Sequence, residues 1–170
     1  MLLCGNAVVD VFTCTAKEDV VFDLPLHFRG TLEGLPDAVP CDPLAGDNGY
    51  QHIQEPQRFD APIDTFSVDA GNGKRVHVAC LDASTAYRAE APGYGMRETL
   101  PLVLRRQEGR TARFLTVYQI LGPDESPKAI EAQPGPETHV SVGDVQLRVG
   151  EQTVVKAGDK EYVVTRNGVE

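Results

Sequence analysis

Apolar residues in this chain recur at every second position and nowhere at the three-and-four spacing that lines one face of a helix. The clearest run starts at Val20, where Val20, Phe22, Leu24, Leu26, Phe28 and Leu32 fall on one side of an extended chain. Asp23, His27, Arg29, Thr31 and Glu33 fall on the other. Such alternation predicts a strand with its apolar row on a core and its polar row toward solvent or a partner. Truncating Phe22 to alanine is then expected to cost about 3–5 kcal/mol. Pro25 has no N–H to give to a ladder, which puts the strand at a sheet edge or a bulge.

Two further runs, Leu100–Leu104 and Ala112–Leu121, are separated by the charged segment Arg105–Thr111, which contains Gly109. Strand formers on both sides of a short polar connection predict a β-hairpin. In the second run Phe114, Thr116, Tyr118 and Ile120 face one way and Leu115 and Val117 the other, so it is expected at the centre of the fold, covered on both faces. Other strands are expected at Ala7–Ala16, Thr65–Ala70, Arg75–Leu81 and around Thr85–Ala89, the middle two joined by Gly71-Asn72-Gly73. A closing meander is expected over Lys128–Ala132, His139–Val142, Val145–Val149, Gln152–Lys156 and Glu161–Arg166. About ten to twelve short strands predict an all-β fold, an antiparallel β-sandwich. At 170 residues the prior is one domain spanning residues 1–170. Gly34–Pro62 has five prolines and no sustained period, and reads as one long Pro/Gly-rich loop. Its Tyr50, His52, Ile53 and Phe59 predict that it is ordered and packed over one end of the sandwich.

The formal net charge of −9 argues against nucleic-acid binding, where affinity comes mostly from neutralising phosphates. The apolar runs fall far short of the ~20 residues that span a bilayer, so no membrane role is expected. The stretch Met1–Gly5 lacks a basic region and an apolar core of useful length, and does not read as a signal peptide. Cys4, Cys14, Cys41 and Cys80 make no C-x-x-C pair and read as reduced, mostly buried thiols.

The order of these patterns carries a resemblance. Ala91-Pro92-Gly93, an arginine, the strand Leu100-Pro101-Leu102-Val103-Leu104-Arg105-Arg106, Glu108-Gly109 and the strand Phe114-Leu115-Thr116-Val117 resemble the C-terminal β-sandwich of heparinase II/III-like polysaccharide lyases, alginate-lyase relatives included. The likeness reaches upstream to Val9–Phe12 and Phe22–Gly30. It implies a sandwich module that binds or acts on acidic polysaccharide together with a helical toroid, as another domain or a neighbouring polypeptide. In that family most of the proton-abstracting apparatus lies on the toroid, and a metal site is built on a His-x-His motif. This sequence has no His-x-His, so those residues cannot be carried over, and no catalytic residue, metal ligand or cofactor is assigned. A free-standing carbohydrate-binding or structural sandwich, and one piece of a split uronate-polymer lyase, are the alternatives.

The residues themselves suggest one wall of a sugar cleft. His27 and Arg29 are two apart on the polar row, and the loop that follows carries Tyr50 and His52. Looped back over the strand, it would gather aromatic, imidazole and guanidinium groups suited to an acidic sugar, with Arg97 at the edge. Arg97 belongs to a cluster of six of the chain's eleven arginines (Arg88, Arg97, Arg105, Arg106, Arg110, Arg113) within 26 residues. The plainer expectation for these is solvent-facing arginines that pair with nearby acids. With no tryptophan in the chain, Tyr50, Tyr87, Tyr94 and Tyr118 are the candidate stacking surfaces.

Overall fold

The computed structural model describes residues 2–133, 135, 137–150, 153–165 and 168–169. Among them are fifteen strands: β1 (Leu2–Cys4), β2 (Ala7–His27), β3 (Thr31–Glu33), β4 (Ala38–Pro40), β5 (Gln54–Phe59), β6 (Thr65–Gly71), β7 (Lys74–Cys80), β8 (Thr85–Pro92), β9 (Thr99–Leu121), β10 (Ile130–Gln133), β11 (Thr138–Val142), β12 (Val145–Val149), β13 (Thr153–Ala157), β14 (Lys160–Thr165) and β15 (Gly168–Val169). Two single 3-10 turns, Tyr50–His52 and Tyr94–Met96, are the only helical pieces among the described residues. The protein is all-β and antiparallel, as the alternation predicts. Strands β1–β9 form one sheet and β10–β15 a second, an uninterrupted meander. Gln152 and Arg166, expected at the ends of two of the meander strands, lie outside the described residues.

Strand β9 is the spine. On one side it pairs with β2 almost throughout, from Ala7↔Gln119 to His27↔Leu102. On the other, its first half pairs with β8 and its second half with β7. The predicted hairpin at 100–121 is therefore absent: residues 105–111 are not a turn but the middle of one strand of 23 residues. That strand bends sharply. Six extended residues span about 20 Å, yet the Gln107 side chain reaches both backbone groups of Arg113, donating to its carbonyl at 2.8 Å and accepting from its N–H at 3.0 Å. Gly109 (φ 132) sits inside the bend, and β2 breaks its register opposite, between Thr15 and Val20. The bend lets one strand serve two layers.

The layers stack in a fixed order. Val103 of β9 and Ala86 of β8 meet Phe66 and Val68 of β6 and Val78 and Cys80 of β7 in an inner core. Behind the second half, Ala7, Val9, Ala79, Leu115 and Val117 pack against Val140, Val142 and Leu147 of the second sheet. Phe114, Leu115, Thr116 and Val117 are each at most 3% exposed, as expected for a strand covered on both faces, whereas Ile120 is exposed. Arg105, 1% exposed, crosses the inner core: it donates to the Thr116 hydroxyl at 2.6 Å, stands over the Phe114 ring and is paired with Asp82. Asp82 also accepts from the Leu115 N–H at 2.6 Å and from Gln107 at 2.9 Å. Arg105 is thus a buried tie between the two layers rather than a solvent-facing arginine.

Two other expectations change. The row Phe22, Leu24, Leu26 and Phe28 is only half-buried and Val20 is exposed, because β2 forms the border of the sheet there, with no strand beyond it. Pro25 falls on that free border, where a missing N–H costs nothing. Gly34–Pro62 is not one loop: it supplies β4 and β5, and β5 pairs with β8 inside the sheet.

Candidate functional site

What remains of that segment, residues 41–53, is a strap across the outer face of β8 and β9. Cys41, Leu44, Tyr50 and Ile53 pack on Tyr87, Ala89, Ala91, Leu102 and Leu104. Its start is tied to β5 by the Cys41 N–H donating to the Pro56 carbonyl at 3.1 Å. Its end is the 3-10 turn, where the His52 N–H donates to Gly49 and the Ile53 N–H to Tyr50.

The strap is latched at one point. The Tyr50 hydroxyl donates to the Asp23 carboxylate on β2. Arg106 on β9 grips the same carboxylate with two parallel bonds, at 2.8 and 2.7 Å, and lies 5.4 Å from the centre of the Tyr87 ring. The Asp23 side chain is 5% exposed and that of Arg106 16%. Asp23 was expected on the solvent face; the strap covers that face and encloses its carboxylate. Burial first, and the bond to Asp23 second, push the Tyr50 phenol up to about 12. The Arg106 guanidinium is held still more firmly charged, chiefly by its bonds to Asp23.

Beside the latch, β2 and the strap enclose a cavity of about 380 Å3, within the range of small-molecule sites, roughly 300–1,000 Å3. Leu102, Leu104 and Ala91 floor it; Pro25 and His27 form one wall, Asn48, Tyr50, His52 and Ile53 another, and Pro92 and Met96 close the end. His27, Tyr50 and His52, far apart in sequence, are thus brought to one concave surface. Arg29 is not: its side chain is 72% exposed and ion-paired with Glu98. Arg97 borders an adjoining depression with His52 and Met96. Of the arginine cluster, Arg105 and Arg106 are spent inside the protein, while Arg88 bonds Gln57 and Arg110 meets Asp19.

Larger depressions of about 640 and 740 Å3 lie beside Arg58 and Glu108 and beside His77 and Lys128. The second borders Asp82, whose oxygens are already committed, and its His77 is held toward the neutral form, first by burial and then by Arg75. Among the described residues no three of His, Cys, Asp and Glu come together to hold a metal ion. Cys14, Cys41 and Cys80 are free thiols.

Sequence reasoning missed Asp23, Arg106, Asn48 and Met96. The signal for the first two was a carboxylate and a guanidinium within otherwise strand-like runs, the kind of charge that is buried only when paired. Asn48 and Met96 are marked only by the structure, where both hold positive φ (54 and 55) without being glycine. No protein-family model matches the chain, and no curated protein matches it.

Proposed function

We propose that the chain is a non-catalytic β-sandwich module that binds acidic polysaccharide in the cavity under the strap and works with a helical partner. The observation that supports it is the convergence of His27, Tyr50 and His52 on one cavity of ligand size with an apolar floor. Aromatic and aliphatic surface holds the face of a sugar ring, and the imidazoles offer hydrogen bonds to its hydroxyl and acid groups. The latch favours binding over catalysis. A lyase base must accept a proton near neutral pH, whereas the Tyr50 proton is aimed at Asp23 and its phenol is pushed away from that range. The partner is supported by the free border of β2, along which Phe12, Val20 and Val21 stand exposed.

Calorimetric titration with uronate oligomers tests this. His27→Ala and His52→Ala are expected to weaken binding about tenfold each while leaving the thermal midpoint in place. Absence of uronate binding by the unmodified chain overturns the reading, and so does growth of unsaturated-uronate absorbance, which would make the chain a lyase.

A further inference from the structure

The cavity continues past its rim. His52, Pro92 and Met96 line both the cavity and the adjoining depression of about 310 Å3, which adds Gln51, Gln54 and Arg97. The two compartments differ in chemistry: Leu102, Leu104 and Ile53 floor the first with apolar surface, while the amides of Gln51 and Gln54, the Arg97 guanidinium, Thr99 and the Glu98 carboxylate line the second. Arg97 makes no ion pair with the described residues, and the Glu98 carboxylate in the same lining is paired with Arg29.

The ridge between the compartments is held by a tight turn. The Gly93 N–H donates to Glu98 at 2.8 Å and the Met96 N–H to Gly93 at 3.0 Å. A Cβ at Gly93 would lie 2.8 Å from side-chain carbons of Glu98 and Leu100, so any other residue would force those two side chains to shift. Met96 stands 65% exposed at the crest. Four described non-glycine residues have positive φ, and two of them, Asn48 and Met96, line these compartments. Strain of this kind persists where the surroundings impose it, and it concentrates at ligand clamps.

We propose that the two compartments form one groove for two consecutive sugar units, with Met96 dividing them and Arg97 holding the carboxylate of the second unit. This rests on the polysaccharide-binding reading and narrows its ligand to a disaccharide or longer, acidic on the second unit. The planar guanidinium fork is shaped for a carboxylate.

The test is calorimetry on the full chain with galacturonate and mannuronate monomers and dimers, and with carboxyl-reduced dimers. The acid dimer is expected to bind at least about tenfold more tightly than the monomer. That ratio should fall close to one in Arg97→Gln and for the reduced dimer. An unchanged ratio in Arg97→Gln, with His27→Ala still weakening both uronates, discards the second unit and leaves polysaccharide binding standing. No uronate binding by the unmodified chain overturns both. A thermal midpoint lowered in Arg97→Gln in step with the ratio assigns Arg97 a structural role and overturns the proposal.

Discussion

Asp23 and Arg106 face each other across the β2–β9 ladder as direct register partners, and their side chains close the pair with two bonds at 2.8 and 2.7 Å. With Tyr50 donating to the same carboxylate, three segments distant in sequence meet at one charge.

Removing that carboxylate leaves Arg106 enclosed and uncompensated. Asp23→Ala is expected to cost about 3–5 kcal/mol, read as a shift in urea midpoint with little change in slope. A loss below about 1 kcal/mol would place the pair in the class of weak surface bridges.

Tyr50→Phe keeps the ring over the outer core and removes only the hydroxyl, so the expected loss is about 1–2 kcal/mol. It also changes behaviour in alkali. A phenol whose folded pKa is raised to about 12 adds stability that is intact below its unfolded value near 10 and fades as pH climbs through 12. Tyr118, also pushed up to about 12 by burial and by Asp10, and Cys80, raised to about 11 by burial, act in the same direction. Thermal midpoints between pH 9 and 12 should therefore fall less steeply in Tyr50→Phe. Parallel curves would show that the hydroxyl is not titrating with folding.

Asp82→Ala strips an acceptor from the buried Arg105 guanidinium, the Gln107 amide and the Leu115 N–H at once. The expected cost is at least about 3–5 kcal/mol, large enough to threaten folding itself. Far-ultraviolet circular dichroism and urea titration read it, and near-native stability would refute the tie between the layers.

Phe22→Ala is expected to cost about 1–2 kcal/mol, while Phe66→Ala and Phe114→Ala cost about 3–5. The ordering follows burial: Phe66 and Phe114 are 2% and 1% exposed, whereas Phe22 is half-buried at the border of β2. Equal losses in all three would mean that the border is covered.

Cys80 is expected to resist thiol reagents at pH 8 in the folded protein, being buried with its thiol pushed up to about 11. Mass spectrometry after brief labelling should find modification at the half-buried Cys14 and Cys41 first.

Alternation made the sheets legible. Val78 and Cys80, with Val76 beside them, lie in the inner core while Ala79 packs from the opposite face of the same strand against the second sheet, and Gly71–Gly73 does join β6 to β7. Alternation assigns faces but does not name what covers them. It put Asp23 in solvent because the strap is specified elsewhere, by the anchoring of Leu44, Tyr50 and Ile53. It also read 105–111 as a turn, because a charged stretch with a glycine looks the same in a loop and in a bent strand whose charges pair internally. The Pro-rich segment hid β5 for a related reason: a strand bulged between Gln54 and Gln57 has no clean period. Within the site, chain reach grouped Arg29 with His27, Tyr50 and His52, but only the latter three share the cavity, because Arg29 turns to Glu98, 69 residues away in the chain.

The pairing of Ala7 with Gln119 has a consequence for how the molecule comes into being. Nearly the whole of β2 must wait for a partner made about a hundred residues later, and the outer core under the strap waits with it. Contacts this remote slow the search for the native state into the range of milliseconds to seconds. Until then an extended apolar ribbon has an unsatisfied backbone on both borders, open to pairing with other chains. Lys17, Glu18 and Asp19, at the register break of β2, put charge on that ribbon while it waits.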